Sequence, residues 1–126
     1  MQWDGINRRR FVRVQYPFTV HIYVPGEPPI SSYTEDISTG GIKVTIKQVI
    51  AKSTLVDLEI YLKSDPVLCK GVVSWARERK SKFLEDTIIH DLGIEFSEVK
   101  TGDKRSIKKQ VDDLAKAKKE DNQATE

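Results

Sequence analysis

The chain has 126 residues and a mass of 14.4 kDa, enough for one domain with a sizeable core and too few for two domains or a large catalytic fold. Hydrophobic residues make up 38% and charged residues 32%, and the polar excess sits in the last quarter, so the remainder can still fold. The net charge of +2 conceals an uneven layout: residues 1–14 hold four arginines against Asp4, residues 15–99 hold nine Lys or Arg against twelve acids, and the rest is nearly balanced. A basic arm on a mildly acidic body is the first functional clue. The single cysteine, Cys69, excludes an internal disulfide, and with only His21 and His90 there is no metal-ligand spacing and no cofactor signal. The apolar stretches are short and interrupted by charge, which predicts a soluble, cytoplasmic protein without membrane insertion.

The first periodic segment is Phe18 to Val24, with Phe18, Val20, Ile22 and Val24 on one face and Thr19, His21 and Tyr23 on the other, the pattern of a half-buried strand. Pro25, Gly26, Pro28 and Pro29 interrupt it, and Ser32 to Ile37 reads as a second strand. After Ser38-Thr39-Gly40-Gly41, a third strand sets Ile42, Val44 and Ile46 against Lys43, Thr45 and Lys47. A fourth sets Val56, Leu58, Ile60 and Leu62 against Asp57, Glu59 and Tyr61. Asp65-Pro66 predicts a turn before a long strand, Val67 to Arg77, with Cys69, Gly71, Val73 and Trp75 on one face. Leu92, Ile94 and Phe96 complete the sixth. Six short strands without helical periodicity between them predict an all-β fold, a closed antiparallel barrel or a sandwich, because closure removes exposed edges. Ile107, Val111 and Leu114 then recur at helical spacing. The expected organisation is an arginine-rich arm over 1–15, a barrel over 16–99, a C-terminal helix over 100–119 and a frayed tail over 120–126.

Two polar constellations carry the chemistry. Arg8-Arg9-Arg10-Phe11-Val12-Arg13 precedes the first strand. Guanidinium groups fork onto phosphate oxygens, stack on aromatic rings and donate in pairs to guanine O6 and N7, which suits a phosphorylated purine. A solvated basic arm or a nucleic-acid tail has the same composition. Asp36-Ile37-Ser38-Thr39-Gly40-Gly41 joins two strands. Its aspartate can accept from guanine N1–H and N2–H, its serine can donate to phosphate, and its glycines let backbone approach a ligand. A tight hairpin uses the same residues for side-chain-to-backbone turns.

In order and separation, the two constellations together resemble the PilZ family. Arg9 and Arg13 match its Arg-x-x-x-Arg element, and Asp36, Ser38 and Gly41 match Asp-x-Ser-x-x-Gly without substitution. The similarity extends through Gly71-Val72-Val73-Ser74-Trp75, Leu92-Gly93-Ile94-Glu95-Phe96 and the trailing helix. The resemblance implies a six-stranded barrel that binds cyclic di-GMP and performs no chemistry on it, and it implies that the arginine-rich arm over 1–15 is mobile. It further implies phosphate and guanine contacts for Arg9 and Arg13, a guanine edge for Asp36, and phosphate support with close backbone approach for Ser38, Gly40 and Gly41. Arg8 resembles an additional arginine that accompanies an intercalated ligand dimer in some members. Trp75 stands where some members place an aromatic near the ligand, although barrel core explains it equally well, and Arg10 faces ligand or solvent.

The expectation is a stand-alone, non-enzymatic receptor that signals by ordering its arm and so altering a surface for an unidentified downstream protein. A ligand-independent adaptor and a small RNA or single-stranded DNA binder are the rivals. The intact motif opposes the first rival. The acidic body opposes the second, so no nucleic-acid polymer is expected. His90 beside Asp91 imitates half of a catalytic pair, but no Ser or Cys nucleophile can be assigned to it.

Overall fold

Apolar alternation closes the chain into a ring. In the computed structural model, which describes residues 12–63 and 66–124, the strands are β1 (Thr19–Tyr23), β2 (Ile30–Ile37), β3 (Gly41–Ile46), β4 (Leu55–Tyr61), β5 (Pro66–Lys80) and β6 (Ile88–Glu98). They form a closed antiparallel barrel in the order β1-β2-β3-β6-β5-β4, followed by helix α1 (Thr101–Ala124). Of the barrel and sandwich that the strand pattern allows, the chain forms the barrel, as the family resemblance implies, with one C-terminal helix.

The inward row of each strand fills the interior. Val20, Ile22, Val44, Ile60 and Leu92 are fully enclosed, and burying a side chain of this size contributes about 1.5–3 kcal/mol relative to leaving it exposed. Thr34 is the polar exception. Its hydroxyl donates to the Tyr16 carbonyl at 2.5 Å and accepts from Phe18 N–H at 3.0 Å, which satisfies backbone groups where the chain enters β1. Cys69 is buried on the inner face of β5, and burial, followed by the charges of Asp103 and Asp57, pushes its thiol up to about 12. α1 packs against β5 and seals the interior with Ile107 and Val111, while Leu114 is half-buried.

Four details depart from the sequence pattern. Pro66 is already the first residue of β5, opposite Tyr61, a position that needs no N–H donor to a ladder, while Asp65 of the expected turn lies outside the described residues. β5 and β6 run on as a long hairpin, because Arg77, Glu78, Arg79 and Lys80 continue to pair with Asp91, His90, Ile89 and Ile88. α1 runs to Ala124 rather than ending near residue 119, since a polar helix needs no apolar partner once its first turns are seated. Val14, inside the expected arm, is already buried and paired with Ile37.

Trp75 requires a further correction. The pairing shifts between Val73↔Ile94 and Trp75↔Gly93, leaving Ser74 as an extra residue on β5. Such a bulge resets the alternation by one position. Trp75 therefore leaves the inward row of Cys69, Gly71 and Val73 and stands on the outer surface, 41% exposed.

Candidate functional site

The outward turn of Trp75 helps to build a cavity on the β3–β6–β5 side of the barrel. The cavity has a volume of about 1480 Å³, and Arg13, Asp36, Ser38, Gly40, Gly41 and Trp75 all line it. These are six of the nine candidate residues. Arg8, Arg9 and Arg10 lie outside the described residues.

Three local features bring the six together. Val14 and Ile37 exchange backbone hydrogen bonds, N to O, of 3.0 Å in each direction, so Arg13 arrives beside the Asp36–Ser38 segment. The register of β2 against β3 shifts between Thr34 and Asp36, and Asp36 then pairs with Lys43 at the end of β2. The turn after β2 is held by Ser38: its N–H donates to the Gly41 carbonyl at 2.9 Å, and its hydroxyl oxygen accepts from Gly40 N–H at 3.0 Å. Ser38 thus makes the serine turn that the sequence allows, and its side chain is buried in doing so.

The glycines serve strand packing. A Cβ built at Gly41 would overlap the Ile94 carbonyl oxygen and lie 3.2 Å from Glu95 Cα, so the close approach is to β6. A Cβ at Gly93 would lie 2.6 Å from Trp75 Cδ1, so the indole rests on bare backbone. Ser74, the extra residue of the bulge, donates to the Gly93 carbonyl at 3.1 Å and fixes the same spot. Gly93 is the site residue that sequence reasoning misses. Its signal is a glycine inside a strand, which marks close approach by another group.

The cavity is electropositive. Arg13, Lys43, Lys52, Lys70, Lys100 and Lys104 line it against Asp36, Glu95 and Glu98, six cations to three carboxylates. Such an excess with exposed backbone and an indole suits an anionic, flat ligand.

Beside the cavity, one step along the same outer face, Asp91 anchors the β5–β6 hairpin. It is 1% exposed and accepts from Arg79 Nε at 2.7 Å, from Arg77 Nη2 at 3.1 Å and from Thr45 Oγ1 at 2.7 Å. Burial alone would raise its carboxyl, and the hydrogen bonds from Arg79, Thr45 and Arg77 outweigh it, holding Asp91 well below the usual carboxylate range. Arg77 and Arg79 are thus tied to a carboxylate. Among the described residues no group of His, Cys, Asp or Glu could hold a metal ion, and no helix is long and apolar enough to cross a membrane.

The chain matches the family model described as PilZ domain over residues 7–113. It is similar in structure to the PilZ domain with c-di-GMP of YcgR from Escherichia coli, at 16% sequence identity and a TM-score of 0.72 over 92% of this chain and 98% of that one. It is similar also to the K. pneumonia MrkH–c-di-GMP complex, at 19% identity and a TM-score of 0.75 over 90% of this chain and 55% of that one. A third similar structure is the Bacillus subtilis inhibitor of motility MotI/DgrA, at 23% identity and a TM-score of 0.65 over 82% of this chain and 49% of that one. The chain spans about half the length of the MotI/DgrA and MrkH chains. Among curated proteins nothing matches it.

Proposed function

The chain belongs to the PilZ domain family, and from that premise we propose that it is a non-enzymatic, cytoplasmic receptor for cyclic di-GMP. The observation that carries the reading is the convergence of Arg13, Asp36, Ser38, Gly41 and Trp75 on one cavity with an excess of three positive charges. A ligand with two phosphates and two guanine bases matches that surface in charge and in shape. The similar YcgR and MrkH structures hold the same nucleotide.

In this proposal Arg13 and Arg9 fork onto phosphate oxygens and guanine edges. Asp36 accepts from guanine N1–H and N2–H. Ser38 accepts from Gly40 and exchanges the long 3.5 Å bond that its hydroxyl donates to the Gly41 carbonyl for one to a phosphate. Trp75, flat against Gly93, offers an indole face to a base. The segment ahead of Val14 orders over the ligand, and the surface thereby changed recruits or releases a downstream protein. Arg8 and Arg10 add guanidiniums to those of Arg9 and Arg13, giving four positive charges for the four phosphates of a stacked nucleotide pair.

Calorimetric titration with cyclic di-GMP tests the reading. The expected stoichiometry is two nucleotides per chain, falling toward one in Arg8→Leu, with affinity that weakens as salt rises. Saturation at one nucleotide in the wild type removes the pair and leaves the receptor. Absence of binding replaces the receptor with a ligand-independent adaptor.

A further inference from the structure

The side of the barrel away from the cavity has its own chemistry. β1 sits between β2 and β4, and in the ring order it lies across from β6. The chain has 21 Lys and Arg, yet β1, β2 and β4 contain none. Their sequences supply Glu35, Asp36, Asp57 and Glu59 instead. Three of the four tyrosines stand on their outer face: Tyr33 is 63% exposed, and Tyr23 and Tyr61 are each 37% exposed.

Register makes this one surface. Thr19 lies between Tyr33 and Tyr61, His21 lies between Ser31 and Glu59, and Tyr23 lies beside Asp57. At its centre, Glu59 Oε1 is 3.1 Å from His21 Nδ1 and accepts from the Tyr23 hydroxyl at 3.0 Å. The imidazole stands edge-on to Tyr61, with ring centroids 5.1 Å apart. Hydrogen bonds from His21, Tyr61 and Tyr23 hold the Glu59 carboxyl below its ordinary value, which keeps it charged. The carboxylate thus stands fixed on a surface of aromatic rings. Two cations stand at the rims: Lys43 reaches Glu35 at 3.4 Å, and Lys70 is opposite Asp57.

We propose that the outer face of β2, β1 and β4, centred on Glu59 and framed by Tyr23, Tyr33 and Tyr61, docks a partner protein that presents a basic, arginine-bearing segment. An arginine side chain meets a fixed carboxylate and aromatic faces here at once, a combination that guanidinium exploits through forked hydrogen bonds and stacking. Rigid tyrosines with two side-chain torsions supply contact area at small entropic cost, and tyrosine and arginine dominate the energetics of protein interfaces. The carboxylates disfavour an acidic partner through like-charge repulsion. This inference does not rest on the nucleotide reading: Asp36, Lys43 and Lys70 at the edge of the face also line the cavity, but Glu59, Tyr23, Tyr33 and Tyr61 do not.

The test uses the full chain, isotope-labelled, titrated with hexa-arginine amide and with hexaglutamate while amide signals are followed. Hexa-arginine is expected to shift Tyr23, Tyr33, Glu59 and Tyr61 as one saturable set, and hexaglutamate none of them. Glu59→Lys and Tyr33→Ala should each weaken hexa-arginine binding roughly tenfold. The same charge change at the exposed Glu85, Glu85→Lys, should alter it by less than about twofold. Tyr33 is exposed, so its variant keeps the test valid if Glu59→Lys fails to fold. Equal losses in Glu85→Lys and Glu59→Lys reduce the effect to bulk charge and overturn the proposal. So does undiminished binding by Tyr33→Ala. Self-association of the wild type that Glu59→Lys abolishes also overturns it, because the occupant is then a second copy of the chain. Cyclic di-GMP titrations of the same variants should match the wild type, which keeps failure here distinct from failure of the receptor reading.

Discussion

Val14 and Ile37 are joined by two backbone hydrogen bonds, each 3.0 Å. One residue before Val14 is Arg13, and one residue before Ile37 is Asp36, so a single bridge places a guanidinium and a carboxylate at the same cavity rim. Because the bridge uses backbone groups, the side chains on either side of it can change without loss of the fold.

Arg13→Ala and Arg9→Ala are each expected to weaken cyclic di-GMP binding while the melting curve stays that of the wild type. Hydrogen bonds to a charged group contribute about 1.5–3 kcal/mol, which corresponds to a loss on the order of tenfold to a hundredfold. Calorimetric titration of the two variants checks it, and unchanged curves for both remove the arginines from the site.

Asp36→Ala and Ser38→Ala separate hairpin from ligand. Ser38→Ala deletes the acceptor for Gly40 N–H, so a stability loss of about 1 kcal/mol is expected from the turn alone. If the hydroxyl also meets phosphate, affinity falls further than that loss explains. Thermal melts paired with titrations measure both, and normal affinity in both folded variants would confine these residues to the turn.

Gly41 and Gly93 should respond differently to alanine. At Gly41 the new methyl meets the Ile94 carbonyl, fixed backbone of β6, and a loss of about 2–3 kcal/mol in denaturant unfolding is expected. At Gly93 it meets the indole of Trp75, a side chain with room outside. Gly93→Ala should therefore stay folded, red-shift Trp75 emission in a Trp3→Phe background and weaken the nucleotide. An unshifted spectrum would show that the indole does not rest there.

The Asp91 carboxyl is held below its unfolded value, so it binds a proton less readily when folded. Its contribution to stability is complete above the unfolded value, about pH 4, and declines as pH falls toward the folded one. Asp91→Asn removes the charge that fixes Arg77 and Arg79 and should cost about 1.5–3 kcal/mol at neutral pH. Below pH 4 the gap between variant and wild type should narrow. A gap that persists unchanged into acid assigns the loss to packing rather than to charge.

Much of the barrel is legible in the sequence because its inward rows keep strict alternation: Val20 and Ile22, Ile42 to Ile46, and Val56 to Ile60 all face the core as read. What fails is what alternation cannot encode. Ser74 carries no mark of being an extra residue, so Trp75 reads as the next inward position. The motif residues Asp36, Ser38 and Gly41 are legible as a unit because they share one turn. Asp91 is not: adjacent in sequence to His90, it works with Arg77, Arg79 and Thr45, which only cross-strand register brings to it. The Glu59 cluster is hidden for the same reason, since His21 and Tyr23 lie in another strand.

Cys69 gives the fold a built-in chemical clock. With its thiol buried and pushed up to about 12, almost no thiolate forms at neutral pH, and only the thiolate reacts with an alkylating reagent. Labelling therefore waits for β5 to come away from its neighbours or for α1 to lift, and the labelling rate counts those openings one molecule at a time. A nucleotide that binds only the closed barrel slows the clock in proportion to its occupancy. The one cysteine of the chain thus converts ligand binding on the outside of the barrel into a mass change recorded on the inside.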